Sequence, residues 1–421
     1  MSSGARELIW VKSGPLHPLD TGGKIRTHGM LRALRDDFRV HFLALRPEGT
    51  RDAVCTAAAE YSDRQTWIPH PAPAPRGPRL APALARNLFL SRLPFSIERY
   101  RSRAMHDALR AAIAQSPGAL VLCDFLTPAV NVLDDWRPPP AVSLLFQHNV
   151  ESAIWHRLAA AETRPWVRAY LRSQHDRMRR FEQRASAAFD GVITVSPSDS
   201  ETFRHEFGLS NVLGDVPTGV DTERYTSANR KPEPDRIAFL GSMDWMPNID
   251  AVHHFVKEIL PRIRTRRPGA RFVVIGRNPP ESIRALATTD PAIEVTGTVE
   301  DVRPHLDRAA LLVVPLRAGG GTRIKLFEAA ASGIPAVSTR IGAEGLPLED
   351  GVHLRLADAP EAFADAVVDL LADTDGANRL AAAARALVAE RFGWEAVTAS
   401  FIRLLADGEA RSQPRLSRAA C

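Results

Sequence analysis

The chain has 421 residues, which is too many for one compact core and enough for two domains. Apolar residues make up 45% of it and charged residues 24%, as in an ordinary globular protein, and no stretch reaches the ~18 uninterrupted apolar residues of a membrane span. The net charge of +5 is mild: it permits an anionic partner, such as a phosphorylated ligand or a lipid surface, but no basic motif with interleaved aromatic residues points to nucleic acid.

The N-terminus leads straight into the short apolar run Leu8–Val11 and lacks the regions of a signal peptide, so we expect a cytoplasmic chain. The cysteines lie far apart without metal-ligand spacing and are expected to be unpaired and reduced; they are Cys55, Cys123 and Cys421.

Short β-branched or apolar runs alternate with helical periodicity along most of the chain. The strands predicted in the first half are Glu7–Lys12, Arg39–Leu45, Ala119–Asp124, Ala141–Gln147, Gly191–Val195 and Val212–Val216. Those predicted in the second half are Arg236–Gly241, Arg271–Ile275, Ile293–Thr296, Leu311–Val314, Ala336–Ser338 and Val352–Leu356. Such alternation predicts α/β domains with parallel sheets covered on both faces.

A pair of glycines, Gly22 and Gly23, follows the first strand and opens a helix with the cations Lys24 and Arg26 near its start. A glycine turn at a helix N-terminus can bind an anion through backbone N–H groups, although a plain turn remains the alternative. The spacing is not the G-x-G-x-x-G fingerprint, which argues against an NAD enzyme.

Two segments of the first half break the regular pattern. Residues Trp67–Phe95 carry seven prolines and are predicted to form a stiff, extended surface loop. The helix after Arg164 has an apolar stripe and several arginines on another face. A solvated basic face is the simpler interpretation, and contact with anionic lipid headgroups or an acidic acceptor is the alternative.

His148 follows the apolar strand that ends near Phe146. Side chains at the carboxyl end of a parallel strand point into the ligand crevice, so His148 is a candidate to contact a sugar hydroxyl or stabilise developing charge. Most lone histidines have no such role, which remains the alternative.

The polar stretch Thr226–Asp235 is the best candidate for a linker between domains. We therefore predict an N-terminal domain over 1–225 and a C-terminal domain over 236–393. The last helix, 394–408, has no strand after it and is free to pack back on the N-terminal domain, and residues 409–421 are predicted to be a disordered tail.

The strongest local motif is the glycine run that follows the strand Leu311–Val314 and opens a helix. Gly320, Gly321 and Thr322 would turn backbone N–H groups toward a phosphate, and Arg323 and Lys325 would add positive charge. Cations disfavour a helix N-terminus by ~0.3–1 kcal/mol each, a cost that an external anion would offset. The alternative is a flexible turn with two solvent-facing cations.

Other candidates follow strands in the second half. Glu328, one helical turn after Lys325, is placed to accept hydrogen bonds from a ribose diol or to pair with a neighbouring cation. The segments beginning Gly241-Ser242 and Gly276-Arg277 each lie between a strand and a helix, and singly each is also explained as an ordinary turn.

The order of these segments resembles glycosyltransferase family 4, whose members are retaining enzymes of the GT-B fold, and sugar transferases of bacterial exopolysaccharide systems in particular. The resemblance spans nearly the whole chain and rests on the following segments: Gly22-Gly23, Val195–Asp199, Val216–Asp221, Phe239–Ser242, Val274–Gly276, Thr296–Val299 and Glu328–Val337. It implies an α/β fold of two Rossmann-like domains that face each other across a cleft.

The resemblance also implies roles for matched residues. Glu328 corresponds to the carboxylate that holds the donor ribose, and Gly22 and Gly23 to the loop beside the diphosphate and acceptor. His148 resembles the histidine that contacts the donor sugar, and Thr298 and Val299 the backbone that meets the nucleobase.

Two departures from the family pattern stand out. Gly320 occupies the position of the first carboxylate of the pattern, and Ser242 and Asn248 stand near the position of its usual arginine and lysine. We therefore expect Arg323 and Lys325 to neutralise the diphosphate.

The function expected from this resemblance is a metal-independent, retaining hexosyltransferase without a cofactor, which moves a sugar from a nucleotide-diphosphate sugar to a lipid-linked, saccharide or small-molecule acceptor. It would work in the cytoplasm, with peripheral contact to the inner membrane face left open. A non-catalytic donor-binding subunit of a polysaccharide assembly and a GT-B nucleotide-sugar 2-epimerase are the alternatives.

Overall fold

The computed structural model describes residues 6–19, 21–71, 80–132, 140–228, 230–318 and 324–419, apart from the side chains of residues 161 and 413–419. The chain divides into an N-terminal unit, residues 1–217 with 397–421, and a C-terminal unit, residues 218–396. The predicted linker Thr226–Asp235 lies inside the C-terminal unit. It is held there by backbone hydrogen bonds, for example from Lys231 N to Asp307 O at 2.9 Å and from Glu233 N to Arg308 O at 2.9 Å.

The described strands of the N-terminal unit pair in parallel as one seven-stranded sheet, in the order β3-β2-β1-β4-β5-β6-β7. They are β1 (Arg6–Lys12), β2 (Phe38–Pro47), β3 (Arg64–His70), β4 (Leu120–Asp124), β5 (Val142–Phe146), β6 (Gly191–Thr194) and β7 (Val212–Asp215). Strands β4 and β5 are buried along their whole length, as expected where helices cover both faces of a parallel sheet.

The described strands of the C-terminal unit form a second parallel sheet of six, in the order β10-β9-β8-β11-β12-β13. They are β8 (Arg236–Leu240), β9 (Arg271–Ile275), β10 (Ile293–Gly297), β11 (Leu311–Val314), β12 (Ala336–Ser338) and β13 (Arg355–Leu356). The predicted strands are all present, and the last is shortened at its start. Two parallel-sheet Rossmann-like α/β domains are thus confirmed.

Helices connect most of these strands. Those of the N-terminal unit are α1 (Gly22–Leu34), α2 (Asp52–Thr56), α3 (Leu80–Leu90), α4 (Phe95–Glu98), α5 (Arg103–Gln115), α6 (Glu151–Ala161), α7 (Pro165–Ala188) and α8 (Pro197–His205). Those that follow along the chain are α9 (Met246–His254), α10 (Leu260–Arg266), α11 (Glu281–Thr289), α12 (Arg303–Asp307), α13 (Ile324–Ala331), α14 (Pro360–Ala372), α15 (Thr374–Phe392) and α16 (Trp394–Ala419). Among the described helices, none combines the length and apolar composition needed to cross a membrane.

The prediction of an extended loop over Trp67–Phe95 is wrong at both ends of the segment. Trp67 belongs to the edge strand β3, where it lies opposite Ala44, and α3 begins at Leu80. Proline has no backbone N–H group to donate to a neighbouring strand. An edge strand tolerates Pro69 because only one of its two sides pairs with another strand. Residues 72–79 lie outside the described part of the segment.

The prediction of a disordered tail from Glu409 is also wrong, because α16 continues to Ala419. Its inner face packs on the N-terminal sheet: Phe401 lies 5.3 Å from Phe146 between ring centroids, and Leu405 is buried. Gly408 permits this approach, since a Cβ atom there would lie 2.9 Å from Leu144 Cδ2.

The two cysteines within the described residues, Cys55 and Cys123, are free thiols, as predicted; Cys421 lies outside the described residues.

Candidate functional site

Three charged or titratable side chains meet at the carboxyl ends of neighbouring strands in the N-terminal unit. Lys12 ends β1, Asp124 ends β4, and His148 follows β5. Lys12 Nζ lies 2.6 Å from Asp124 Oδ2, and His148 Nε2 lies 2.7 Å from Asp124 Oδ1. We call Lys12, Asp124 and His148 the strand-end cluster. All three are buried, so the cluster is a desolvated ionic site.

Two neutral side chains, Trp10 and Thr27, also form hydrogen bonds with the Asp124 carboxylate. Trp10 Nε1 donates a hydrogen bond to Oδ2 at 2.9 Å, and the Thr27 hydroxyl lies 2.7 Å from the same oxygen. Thr27 Oγ1 also accepts from Lys12 Nζ at 2.9 Å. Helix α1 is therefore fastened through Thr27 to the strand ends beside it.

The environment fixes the charges of the cluster. Burial alone would raise the pKa of Asp124, but the charges and hydrogen bonds of Lys12 and His148 together outweigh it and hold that pKa below its ordinary value. Burial lowers the pKa of Lys12 against the opposing effect of Asp124. Burial also lowers the pKa of His148 to about 3. At neutral pH the arrangement is thus a buried ion pair beside a neutral imidazole.

The low pKa of His148 predicts acid sensitivity. The folded imidazole stays neutral down to about pH 3, whereas the unfolded one takes up a proton below its ordinary pKa of about 6.5. Between these values the unfolded state binds more protons, so stability is lost as pH falls, by up to about 1.4 kcal/mol per pH unit. Urea unfolding at pH 7 and pH 5 should show a smaller loss for His148→Gln than for the wild type. Equal losses would contradict the assignment. Burial also lowers the pKa of His41, but both proteins contain this residue, so it contributes the same loss to each.

Phe125 explains why a glycine stands at position 23. Its ring stacks on His148 at 3.7 Å between centroids and lies 4.1 Å from Lys12 Nζ. Its backbone has φ of 75°, a sparsely populated conformation for a bulky residue. A Cβ atom at Gly23 would lie only 2.6 Å from Phe125 Cζ. Close packing therefore requires Gly23, whatever else this turn binds.

The other predicted residues at the start of α1 differ in their surroundings. Gly22 is the first residue of the helix, which has no side-chain cap and no acidic residue in its first turn. Arg26 is 1% exposed, with Nη1 3.5 Å from His148 Nδ1, and burial lowers its pKa to about 9. The turn thus carries a buried cation next to the strand-end cluster.

Two predicted glycines of the C-terminal unit lie directly against each other. Gly241 follows β8, Gly276 follows β9, and a Cβ atom at Gly276 would lie 1.9 Å from Gly241 O. Gly276→Ala must therefore displace backbone, and we expect it to lower the free energy of unfolding by about 1–3 kcal/mol, as overpacking does. Gly269→Ala is the matched control, since its nearest neighbour would be Asp235 Oδ2 at 3.6 Å. Equal urea midpoints for the two variants would refute this reading.

Four polar side chains surround these glycines, and we call Ser242, Asn248, Arg277 and Lys325 the C-terminal polar cluster. Lys325 Nζ donates to Asn248 Oδ1 at 2.8 Å and lies 4.4 Å from the Phe239 ring centroid. Asn248 Nδ2 donates to Ser242 O at 2.7 Å, and Arg277 Nε donates to Ser242 Oγ at 3.0 Å. The cluster places two cations at the carboxyl ends of β8 and β9.

Glu328 lies one turn beyond Lys325 on α13. The Tyr225 hydroxyl donates to Glu328 Oε1 at 2.8 Å, and burial raises the pKa of Glu328 although Tyr225 and Lys325 oppose the rise. Thr298 and Val299 follow β10; Thr298 Oγ1 accepts a long hydrogen bond from Asn278 N at 3.4 Å, and Val299 packs partly buried on the core.

The predicted glycine loop, with Gly320, Gly321, Thr322 and Arg323, lies outside the described residues. The described chain stops after β11 and resumes with α13 at Ile324, so the loop joins the strand and the helix that were predicted on its two sides.

Four residues around the site were not predicted from the sequence: Lys12, Asp124, Phe125 and Tyr225. A signal for the first two was present, because each is a charged residue that ends an apolar strand, and strand ends carry ligand-facing side chains in α/β sheets. Phe125 and Tyr225 gave no comparable signal, since their positions depend on backbone geometry and on contacts distant in sequence.

Residues 234–373 match the family model described as glycosyl transferases group 1. The glycogen synthase of Mycobacterium tuberculosis is 27% identical over 311 residues, covering 69% of this chain and 72% of that protein. The GDP-mannose-dependent alpha-(1-6)-phosphatidylinositol monomannoside mannosyltransferase of the same species is 28% identical over 246 residues, covering 52% of this chain and 63% of that protein.

Among solved structures, Anabaena Alr3699/HepE in complex with UDP-glucose superposes with a TM-score of 0.63, at 12% identity, over 95% of this chain and 99% of that one. At this identity the likeness concerns the fold. The chain is thus similar over part of its length to group 1 glycosyltransferases, and its two Rossmann-like domains share the fold of GT-B glycosyltransferases.

Proposed function

We propose that this chain is a retaining hexosyltransferase that moves a sugar from a nucleotide-diphosphate sugar to an acceptor in polysaccharide or glycoconjugate biosynthesis. The observation that carries the proposal is the arrangement around Lys325. Its ammonium group is held by Asn248 beside Gly241, and Glu328 follows one turn later on the same helix. A cation and a carboxylate so spaced, at the carboxyl ends of parallel strands, suit a diphosphate and a ribose.

The proposed donor contacts divide by the part of the donor they meet. Lys325 and Arg323, with the backbone N–H groups of Gly320, Gly321 and Thr322, neutralise the diphosphate, and Gly22 and Gly23 are proposed as further contacts to it. Glu328 accepts from the ribose hydroxyls, and the backbone at Thr298 and Val299 meets the nucleobase. Gly241, Ser242, Gly276 and Arg277 shape the floor of this site.

His148 is proposed as the side chain that meets the donor sugar. At 5% exposure its ring offers little surface, and its nitrogens already face Asp124 and Arg26. The contact therefore requires a small local opening, and the ring would enter it neutral because of its low pKa. A neutral imidazole can accept or donate one hydrogen bond to a sugar hydroxyl without carrying charge.

The reaction breaks a bond between the anomeric carbon and a phosphate oxygen. Negative charge grows on the leaving diphosphate, and fixed cations and N–H dipoles aimed at it lower the barrier by about 3–4 kcal/mol for each well-placed donor. In the retaining mechanism proposed here the acceptor attacks from the face that the diphosphate leaves, and a leaving-group oxygen takes the acceptor proton. This route needs neither a side-chain base nor a metal at the diphosphate.

A thermal-shift panel of UDP, GDP and ADP, alone and as sugar conjugates, tests the donor assignment. The relatives differ here, since one is named for GDP-mannose and HepE was solved with UDP-glucose, so the nucleobase stays open. A stabilising donor is then assayed for transfer with membrane extracts, saccharides and small alcohols as acceptors. If no nucleoside diphosphate raises the melting temperature, the proposal fails.

Two outcomes of the same assay would favour other functions. Stabilisation without transfer to any acceptor favours a donor-binding subunit of a polysaccharide assembly. Conversion of the donor to its 2-epimer in the absence of acceptor favours an epimerase.

The N-terminal unit also carries features suited to peripheral contact with an anionic membrane and a lipid-linked acceptor. Phe89 and Trp166 are 80% and 71% exposed. Arg177 Nη2 donates to Leu88 O at 2.7 Å, which brings the end of α3 alongside α7, the arginine-bearing helix after Arg164. Arginines and aromatic residues together favour the interface of anionic lipid.

Co-sedimentation with vesicles of phosphatidylglycerol and phosphatidylcholine tests this contact. Binding should fall at least threefold in Phe89→Ser and in Trp166→Ser, while Trp245→Ser, at a tryptophan of the C-terminal unit, serves as control. Equal binding of all variants, or equal binding to neutral vesicles, would remove the membrane from the proposal.

A further inference from the structure

Two histidines and a glutamate of the N-terminal unit converge on one point outside the groups assigned to the donor. His17 lies between β1 and α1, His28 lies on α1, and Glu60 ends the short turn before β3. One ligand atom from each lies within 4.8 Å of the other two. His28 Nε2 is 3.0 Å from Glu60 Oε1, and His17 Nε2 contacts the same oxygen. We call these residues the His–His–Glu cluster.

We propose that the His–His–Glu cluster binds a zinc ion that fastens the segment between β1 and α1 to α1 and to the turn before β3. Two imidazole nitrogens and one carboxylate oxygen are a common zinc ligand set, with water in the fourth position. Tetrahedral bonds of about 2.1 Å separate ligand atoms by about 3.4 Å, so the three atoms need only small movements to admit the ion.

The surroundings favour a built site over a chance meeting of surface side chains. The buried ring of Tyr61 lies 6.0 Å from the His17 ring and 5.6 Å from the His28 ring, and so backs both imidazoles. Leu16, directly before His17, is fully buried and anchors the segment. Arg35 Nη1 donates to Glu60 O at 3.1 Å and fixes the backbone of the carboxylate ligand. An apolar shell and held backbones orient ligands for a metal.

The competing interpretation is a hydrogen-bonded cluster in which both imidazoles share the Glu60 oxygen. The variant Glu60→Gln separates the two interpretations. It keeps a side-chain oxygen acceptor at an exposed position and removes the anionic ligand, so it should fold normally and lose metal affinity. His28→Gln removes a second ligand, and His156→Gln removes an exposed histidine of the same unit that lies outside the cluster.

Tag-free protein, freed of metal with a chelator, is titrated with Co²⁺ and with Zn²⁺. The wild type and His156→Gln should bind one equivalent, show the visible absorption of tetrahedral Co²⁺, and melt at higher temperature with Zn²⁺. Glu60→Gln and His28→Gln should lose at least about tenfold in affinity. Hydrogen exchange over residues 13–19 should slow with Zn²⁺ only in the proteins that bind. Absent binding, or equal affinity in all four proteins, would overturn the site, whichever donor the enzyme uses.

Discussion

Replacing Asp124 with Asn is expected to lower the free energy of unfolding by about 3–5 kcal/mol, because it removes one partner of a buried ion pair. The carboxylate is fully buried and lies 2.6 Å from Lys12 Nζ, so the variant leaves an ammonium group desolvated without its counter-charge. Asn keeps the size of the side chain and one oxygen acceptor for Trp10 and Thr27. The expected loss of stability therefore measures the removal of the negative charge and not the creation of a cavity.

Urea denaturation at pH 7 measures this effect. Asp107→Asn is the matched control, because Asp107 is 62% exposed and its contact to Arg103 at 3.9 Å is a surface pair, worth about 0–1 kcal/mol. The double variant Lys12→Met with Asp124→Asn should recover part of the loss, since it removes the stranded cation too. A single variant no less stable than the control would show that Asp124 does not carry the charge assigned here.

The architecture could be predicted because parallel α/β domains repeat one simple pattern. Each buried strand is a short apolar run, and those runs located the described strands apart from β3. That strand was hidden because an edge position accepts polar residues and even Pro69. The end of α16 was hidden because its sequence is polar, although Gly408 lies close to Leu144 of the sheet and Ser412, one turn later, is buried.

Residues of the candidate site could be predicted only where a local sequence pattern indicates them. Glycines after strands marked Gly241 and Gly276, whose close approach admits no Cβ atom. The pairing of Lys12 with Asp124 could not be predicted from a local pattern, because the parallel sheet brings together two residues that are 112 positions apart in the sequence. The partner of Glu328 was equally hidden: Tyr225 lies 103 residues before it, next to the segment predicted to be a linker.

Lys325→Ala is expected to raise the donor KM or lower kcat by at least about tenfold, because the loss of one preorganised donor to a developing oxyanion typically costs about a hundredfold or more in kcat. The ammonium group is already oriented before any ligand binds, since Asn248 Oδ1 accepts from it at 2.8 Å and the Phe239 ring lies 4.4 Å away. Preorganisation matters because a flexible lysine would spend binding free energy on its own ordering. Asn248→Ala should therefore produce a smaller loss in the same parameter.

Initial-rate kinetics with a donor identified by thermal shift separate the two forms of this effect. A higher KM at constant kcat means that Lys325 binds the diphosphate equally in substrate and transition state, whereas a lower kcat means that it acts mainly on the leaving group. Lys325→Arg keeps the charge and should restore part of the rate, and the exposed Lys231→Ala is the control for a loss of surface charge. If Lys325→Ala keeps wild-type kinetics, other residues must neutralise the diphosphate. The assignment of Gly320 and Arg323 to the same diphosphate site would then be unsupported.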